Sequence, residues 1–200
     1  MRSEERNGSR AGRSLEELTT PQPWGMPSPD IFDGALLNIE SQLQSSVPEE
    51  LRKRIGVTRN LAVYGAFCYD FITVSVFWSF TCVEMALWAK FNQLNPGPFV
   101  LQKKQHQPVT VPQSQLPGNL RLKWRIVGMP QFNGSFRSLV DWATAEKLLR
   151  NDGALGTIVQ LRNSFAHEFS HVWSPPMAVD VFEKMIEIVS HLWPLELPKA

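Results

Sequence analysis

Between Ile31 and Trp193 the chain alternates between stretches where apolar residues recur every three or four positions and breaks that carry proline, a pattern that predicts helices. Ile31, Phe32, Leu36, Leu37, Ile39 and Leu43 give a first short helix, with Gly34 inside it. Ser45, Ser46, Pro48, Glu49 and Glu50 form a helix-start signature, because carboxylates suit the positive end of a helix, and Gly56 is read as its stop. Asn60 to Phe91 is free of proline and predicts one long helix or two stacked ones. Ser135 is placed to cap a helix from Phe136 to Arg150, with Leu139, Val140, Trp142, Ala143, Ala145, Leu148 and Leu149 on its buried stripe and Asn151, Asp152 and Gly153 ending it. A further helix is expected from Leu155 to Val172, stopped before Ser174, Pro175 and Pro176, and a last one from Met177 to Trp193.

Two segments lack this periodicity. Residues 1–28 are polar, with Pro21, Pro23, Pro27 and Pro29 closing them, and read as a mobile tail. Asn95 to Gln131 carries six prolines, and within it Leu120 to Val127 (LRLKWRIV) alternates like a half-exposed strand, with Pro108 to Val111 as its expected hairpin partner. The chain is therefore expected to be all-α: a single helical bundle over residues 29–200, with an irregular proline-rich insertion at 95–131 that holds a short β-hairpin.

Composition adds a core and removes some partners. Hydrophobic residues make up 43% of the chain, with 12 Phe and 7 Trp, so the fold needs neither metal nor disulfide staples. Twenty basic residues against 19 acidic ones leave a formal charge of +1, too little for a global field that attracts nucleic acid or membrane. Cys68 and Cys82 lie in apolar surroundings as reduced thiols, and Met1 to Arg13 has no apolar run of the kind a secretory signal needs, so a cytoplasmic setting is expected. Leu61 to Val83 is long enough to cross a bilayer and follows Arg52, Lys53, Arg54 and Arg59. Asp70 near its middle would cost about 2.5 to 3.5 kcal/mol on insertion, so the stretch reads as the central helix of a soluble bundle.

Chemistry is concentrated in Leu161 to His171 (LRNSFAHEFSH), where two patterns overlap. His167 and His171, four apart, share a helical face with the spacing that binds zinc, and Glu168 is placed as a base for metal-bound water. Asp180, Glu183 and Glu187 are the candidates for the third ligand this metalloprotease-like reading requires.

The second pattern is Arg162, Asn163 and, four residues on, His167. With it go Val83, Glu84, Met85, Ala86 and Leu87 on an apolar helix, a helix ending in Leu148 and Leu149, and a last helix closing with His191, Leu192, Trp193 and Pro194. In these features the chain resembles the HEPN family of helical nucleotide-binding proteins and ribonucleases. The resemblance implies a metal-independent endoribonuclease without a cofactor, working as a homodimer in which two such motifs meet and leave a cyclic phosphate. A toxin or defence role is the expected setting, with an antitoxin or other protein as partner. The chemistry suits the residues. Histidine, whose unperturbed side chain titrates at about 6.5, suits the acceptance of the ribose 2′-hydroxyl proton near neutrality, and His167 is placed for that role. Arg162 can stabilise charge on the phosphate, and Asn163 can orient either group.

Alternatives stay open at this point. A noncatalytic module would bind nucleotide or protein through the same cleft, with Arg162 paired to Glu168 or to an acid on another helix, for which Asp70 and Glu84 are candidates. Lys103, Lys104, Arg121, Lys123 and Arg125, with Trp124 among them, are candidate RNA contacts, the indole stacking on a base; the competing reading is a solvated loop edge.

Overall fold

The computed structural model describes residues 28–150, 153–167 and 173–194, with side chains for 28–150, 156–163 and 173–194. The expected tail, the expected stop at Asn151 and Asp152, and the end of the 155–172 helix beyond His167 lie outside the described residues. The described chain is mostly helical: α1 (Pro29–Glu40), α2 (Glu49–Tyr64), α3 (Asp70–Leu94), α4 (Leu116–Arg121), α5 (Phe136–Ala145), α6 (Gly153–His167) and α7 (Pro175–Leu192). A small antiparallel sheet of β1 (Phe99–Gln102), β2 (Val109–Val111) and β3 (Arg125–Ile126) lies within the proline-rich segment.

Helix α1 starts where Ser28 Oγ accepts the Ile31 N–H at 3.4 Å, and Pro29, expected to close the tail, opens the helix instead. Its buried face is Phe32, Leu36 and Ile39. Helix α2 follows Pro48 with Glu49 and Glu50 in its first turn, but Gly56 does not stop it. Continuation to Tyr64 buries Leu51, Ile55, Thr58 and Ala62 in one stripe, and that burial outweighs the cost of one helical glycine, about 1 kcal/mol. Arg59 ties α2 to α1 through Glu40 at 2.7 Å and Asp33 at 3.3 Å.

The proline-free stretch is divided between two helices by a turn at residues 65–69. Gly65 permits the turn: a Cβ there would lie 2.4 Å from Ile72 Cδ1. Helix α3 then runs through the centre, packed against α2, α5, α6 and α7. Among the described residues it is the one helix long and apolar enough to cross a membrane, and half of its most apolar window is buried within the fold. Asp70, expected near the middle of a span, sits in the first turn of α3, where the helix dipole favours a carboxylate. Ser75 and Ser79, also buried, return their hydroxyls to Ile72 and Ser75 carbonyls at 2.8 and 3.1 Å, so they let neighbours approach without stranding a polar group.

The insertion is anchored by aromatic rings. Phe91 of α3 stacks on Phe132 at 4.5 Å and on Phe99 of β1 at 6.0 Å, and meets Trp142 of α5 edge-on at 5.0 Å. The expected strand over Leu120 to Val127 is corrected here: Leu120 and Arg121 belong to α4, and only Arg125 and Ile126 are extended. Pro108 to Val111 pairs with β1 rather than with that segment, in the register Phe99↔Val111 and Leu101↔Val109, while β3 takes the other edge of β1 at Leu101↔Ile126. Phe99 and Leu101 are buried on one face while Val100 and Gln102 are exposed, the alternation that fixes this register.

Ser135 caps α5 as expected, its Oγ accepting from the Ser138 N–H at 3.2 Å. The helix ends at Ala145 rather than Arg150. Lys147 adopts a left-handed conformation (φ 60°), and the Lys147 and Leu148 N–H groups bond the Thr144 and Ala143 carbonyls at 3.0 and 2.9 Å. This is a Schellman stop with lysine at the position that glycine usually fills, so composition hides it. Gly153, expected to belong to the stop, is the first residue of α6, and Pro175 and Pro176 open α7 instead of only preceding it.

Two outcomes follow from these local observations. Lys147→Gly removes a left-handed lysine and is expected to stabilise the fold by about 1 kcal/mol, read as a higher urea midpoint with unchanged slope. Cys82 is fully buried against Thr58 Oγ1 at 3.5 Å, and burial raises its thiol above the ordinary 9.0. The folded state therefore holds the proton longer than the unfolded one. Stability is expected to be unaffected by this thiol below its ordinary value and to fall as pH rises above it, an effect that Cys82→Ala removes from the alkaline limb of a stability–pH series.

Candidate functional site

Helix α3 is apolar around most of its circumference, and Glu84 is a half-buried carboxylate in its second half. A carboxylate in that position needs a cation, and α6 supplies one: Arg162 Nη2 donates to Glu84 Oε2 at 2.9 Å, with about a third or less of either side chain exposed. Of the acids expected as partners from the sequence, Glu84 makes the pair, Asp70 is exposed at the far end of α3, and Glu168 lies outside the described residues.

The pair opens into a pocket of about 490 Å³. Its floor includes half-buried Glu84, Trp88, Arg125 and Arg162, and its rim includes exposed Arg121, Asn133, Arg137 and Asn163. Four elements meet there. Glu84 and Trp88 lie four apart on one face of α3; Arg162 and Asn163 come from α6; Arg121 and Arg125 come from the proline-rich insertion; and Asn133 to Arg137 form the start of α5. No lysine lines the pocket among the described residues, and four guanidinium groups face one carboxylate.

Local backbone geometry makes this convergence possible. Lys123 (φ 67°) is left-handed, and the Lys123 and Trp124 N–H groups bond the Leu120 and Asn119 carbonyls at 3.0 and 3.2 Å, a second Schellman turn. It reverses the chain after α4, so Arg121 before the turn and Arg125 after it both reach the pocket. Gly134 (φ 73°) brings the start of α5 against Leu120 and Trp88: an added Cβ would stand 3.0 Å from Leu120 Cδ1 and 3.1 Å from Trp88 Cζ2. Asn133 Oδ1 accepts the Ser135 N–H at 2.9 Å and Ser135 caps the helix, which sets the first turn of α5 at the pocket rim.

The remaining candidates fall elsewhere. Lys103, Lys104, Lys123 and Trp124 do not line the pocket. Trp124 is half-buried against the core and meets His106 edge-on at 5.7 Å. His167 is the last described residue of α6 and its side chain lies outside the described residues, as do Glu168 and His171. Asp180, Glu183 and Glu187 are exposed on α7 along a separate depression that also takes in Gln42, Gln44 and His191, and Glu187 pairs with Lys184 at 2.8 Å.

Sequence reasoning missed Arg137 and Asn133. A signal for Arg137 exists: a basic residue in the first turn opposes the helix dipole, and here Asp141 offsets it at 2.9 and 3.2 Å. Asn133 belongs to a turn whose geometry is set by Gly134 against Leu120 of α4, a tertiary contact with no local signal in the sequence.

A double-mutant cycle on Glu84→Gln and Arg162→Ala is expected to give a coupling of about 0.5 to 1 kcal/mol in unfolding free energy, the range of a partly exposed pair. Arg162→Ala alone should destabilise more than Glu84→Gln alone, because it leaves a half-buried carboxylate unpaired. Comparison with known proteins leaves the functional reading to this geometry: no family model, no curated protein and no solved structure matches the chain.

Proposed function

We propose that the chain is a HEPN-like, metal-independent endoribonuclease whose site comprises Arg162, Asn163 and His167. The observation that carries the reading is the pocket itself: the Arg162–Asn163 pair borders a cavity with three further arginines, Arg121, Arg125 and Arg137. Guanidinium forks match phosphate oxygens and stay charged at every working pH, so the cavity suits a phosphate backbone.

Helix register supports the role of His167. It stands four residues after Asn163, about 40° around the axis and about 6 Å along it, hence on the helix face where Asn163 borders the pocket. Arg162 stands about 140° from His167 and is turned to α3 by Glu84. In the proposed reaction the ribose O2′ gives its proton to His167 and bonds to phosphorus. The P–O5′ bond breaks, the leaving oxygen takes a proton from the imidazolium or from water, and a 2′,3′-cyclic phosphate and a 5′-hydroxyl result. Arg162 holds the phosphate as charge develops on its oxygens. The same resemblance implies a homodimer, in which a second copy brings its own motif to the first; an antitoxin or other protein partner belongs to the same proposal.

A second reading has its own observation. Arg162 is already neutralised in part by Glu84, and the pocket lining among the described residues is a set of guanidinium groups that can hold an anion, as a noncatalytic nucleotide- or RNA-binding module would require. Incubation with mixed cellular RNA in excess chelator separates the two. Wild type is expected to cleave, and His167→Ala and Arg162→Ala are each expected to lower the rate at least about 10²-fold with the helical circular-dichroism signal intact. RNA bound but never cut would replace the ribonuclease with the binding module, and cleavage unchanged in His167→Ala would remove the site assignment.

A further inference from the structure

The chain carries eight arginines between Ser28 and Pro194; Arg121, Arg125, Arg137 and Arg162 line one pocket, and Arg52, Arg54, Arg59 and Arg150 do not. With a formal charge of only +1, the protein has no general excess of cations, so this concentration is local. The four differ in what holds them. Arg162 is paired with Glu84, and Arg137 is paired with Asp141. Arg125 Nη1 donates to its neighbour's carbonyl, Trp124 O, at 2.9 Å, which steers the side chain but leaves its charge without a counter-ion among the described residues. The Arg121 side chain has no hydrogen-bond or ion-pair partner among the described residues. The uncompensated charge therefore comes from the proline-rich insertion, on the wall contributed by α4 and β3, while the 162–163 pair comes from α6.

From this placement we propose that Arg121 and Arg125 form a second phosphate subsite, which grips a phosphate next to the one held at Arg162 and so makes the ligand an RNA segment bound through at least two consecutive phosphates. The identification of RNA rests on the proposed function; the subsite itself rests on the pocket. Two features favour such a subsite over diffuse attraction. Among the described residues every cation lining the pocket is a guanidinium, the group that recognises phosphate through paired donors, whereas lysines Lys103, Lys104 and Lys123 lie on the same insertion outside it. The insertion is also fixed to the core through the Phe91–Phe99 and Phe91–Phe132 stacks and the left-handed turn at Lys123, so Arg121 and Arg125 are mounted on an ordered wall rather than a free loop. On this account the insertion gives the bundle its grip on the strand and the 162–167 motif acts on the phosphate so presented.

The test uses the full chain and two probes: a 2′-O-methyl RNA oligonucleotide, which cannot form the cyclic phosphate, and inorganic triphosphate. Affinity for the oligonucleotide is measured across a salt series. Each lost phosphate contact on a single strand lowers the slope of log K against log salt by about 0.7, so Arg121→Ala is expected to lower it by about 0.7 and the Arg121→Ala/Arg125→Ala pair by about 1.4. Lys103→Ala/Lys104→Ala serves as the control for lysines outside the pocket and is expected to leave the triphosphate affinity at its wild-type value. Arg121→Ala removes an exposed side chain without a partner among the described residues, so its result does not depend on tolerance of the paired variant. Triphosphate binding that Arg121→Ala weakens, without any oligonucleotide binding by the wild type, would keep the subsite and overturn RNA as its ligand. Wild-type slopes and wild-type triphosphate affinity in both arginine variants, or no triphosphate and no oligonucleotide binding by the wild type, would overturn the subsite.

Discussion

A helix that is apolar on nearly every side demands more cover than a single neighbour can give, and α3 imposes that requirement on the rest of the chain. Its buried positions, from Ile72 through Phe80 and Leu87 to Phe91, take up about half of its circumference, and α2, α5, α6 and α7 pack against them, while Phe71, Val74 and Phe77 on the other side stay exposed. At about 25 cal/mol per Å² of apolar surface removed from water, covering such a helix is strongly favourable. The same requirement decides local conflicts. Gly56 does not end α2, because stopping there would remove Thr58 and Ala62 from the α2 stripe. Gly65 does break the chain, because the reversal into α3 leaves no room for a Cβ beside Ile72.

The site is a by-product of how α3 is covered at its second half. Glu84 interrupts the apolar surface and calls for a cation, which fixes where α6 presents Arg162. One helical turn further, Trp88 packs edge-on against Phe91 and Phe132, and Phe91 collects Phe99 and Trp142. Those rings hold the sheet and α5 to the bundle, and with them the segment that carries Arg121 and Arg125. Core packing and pocket formation are therefore the same event: the aromatic cluster that completes the burial of α3 also brings a cationic wall to face the α6 motif.

What could be read from the chain and what could not divide along physical lines. Helices with a buried stripe and a recognisable cap, such as α5 after Ser135 and α7 after its prolines, were legible because periodicity and capping are local. The end of α5 was not, because Lys147 occupies a left-handed position by virtue of the Ala143 and Thr144 carbonyls rather than by its own preference. The sheet partners were misassigned for a related reason. LRLKWRIV alternates in sequence, yet Leu120 is buried from a helix and Ile126 from a strand, with the turn at Lys123 between them. For the site, Arg162, Asn163, Arg121 and Arg125 were each identifiable, but nothing local indicated that residues about forty apart share a pocket while Lys103, Lys104 and Trp124 do not. That grouping depends on the aromatic anchors and on Gly134, both of which act through tertiary contact.

A carboxylate inside a pocket for phosphate looks like the wrong charge in the wrong place, and its presence bears on how the pocket works. Without Glu84, the flexible Arg162 side chain would lose rotamer freedom each time it bound an anion, a cost of about 0.5 to 1.5 kcal/mol for a long side chain. The ion pair orders the guanidinium in advance and occupies one N–H of its fork, leaving the rest of the fork for a ligand. It also lowers the net attraction of that corner, so binding strength has to come from elsewhere in the pocket, and the uncompensated cations are those of the insertion. The division of labour is then physical: Glu84 and Arg162 set geometry at low net charge, and Arg121 with Arg125 supplies the field. Such an arrangement favours a ligand long enough to reach both walls over a single small anion, which would meet Glu84 at one wall and lack the second contact at the other.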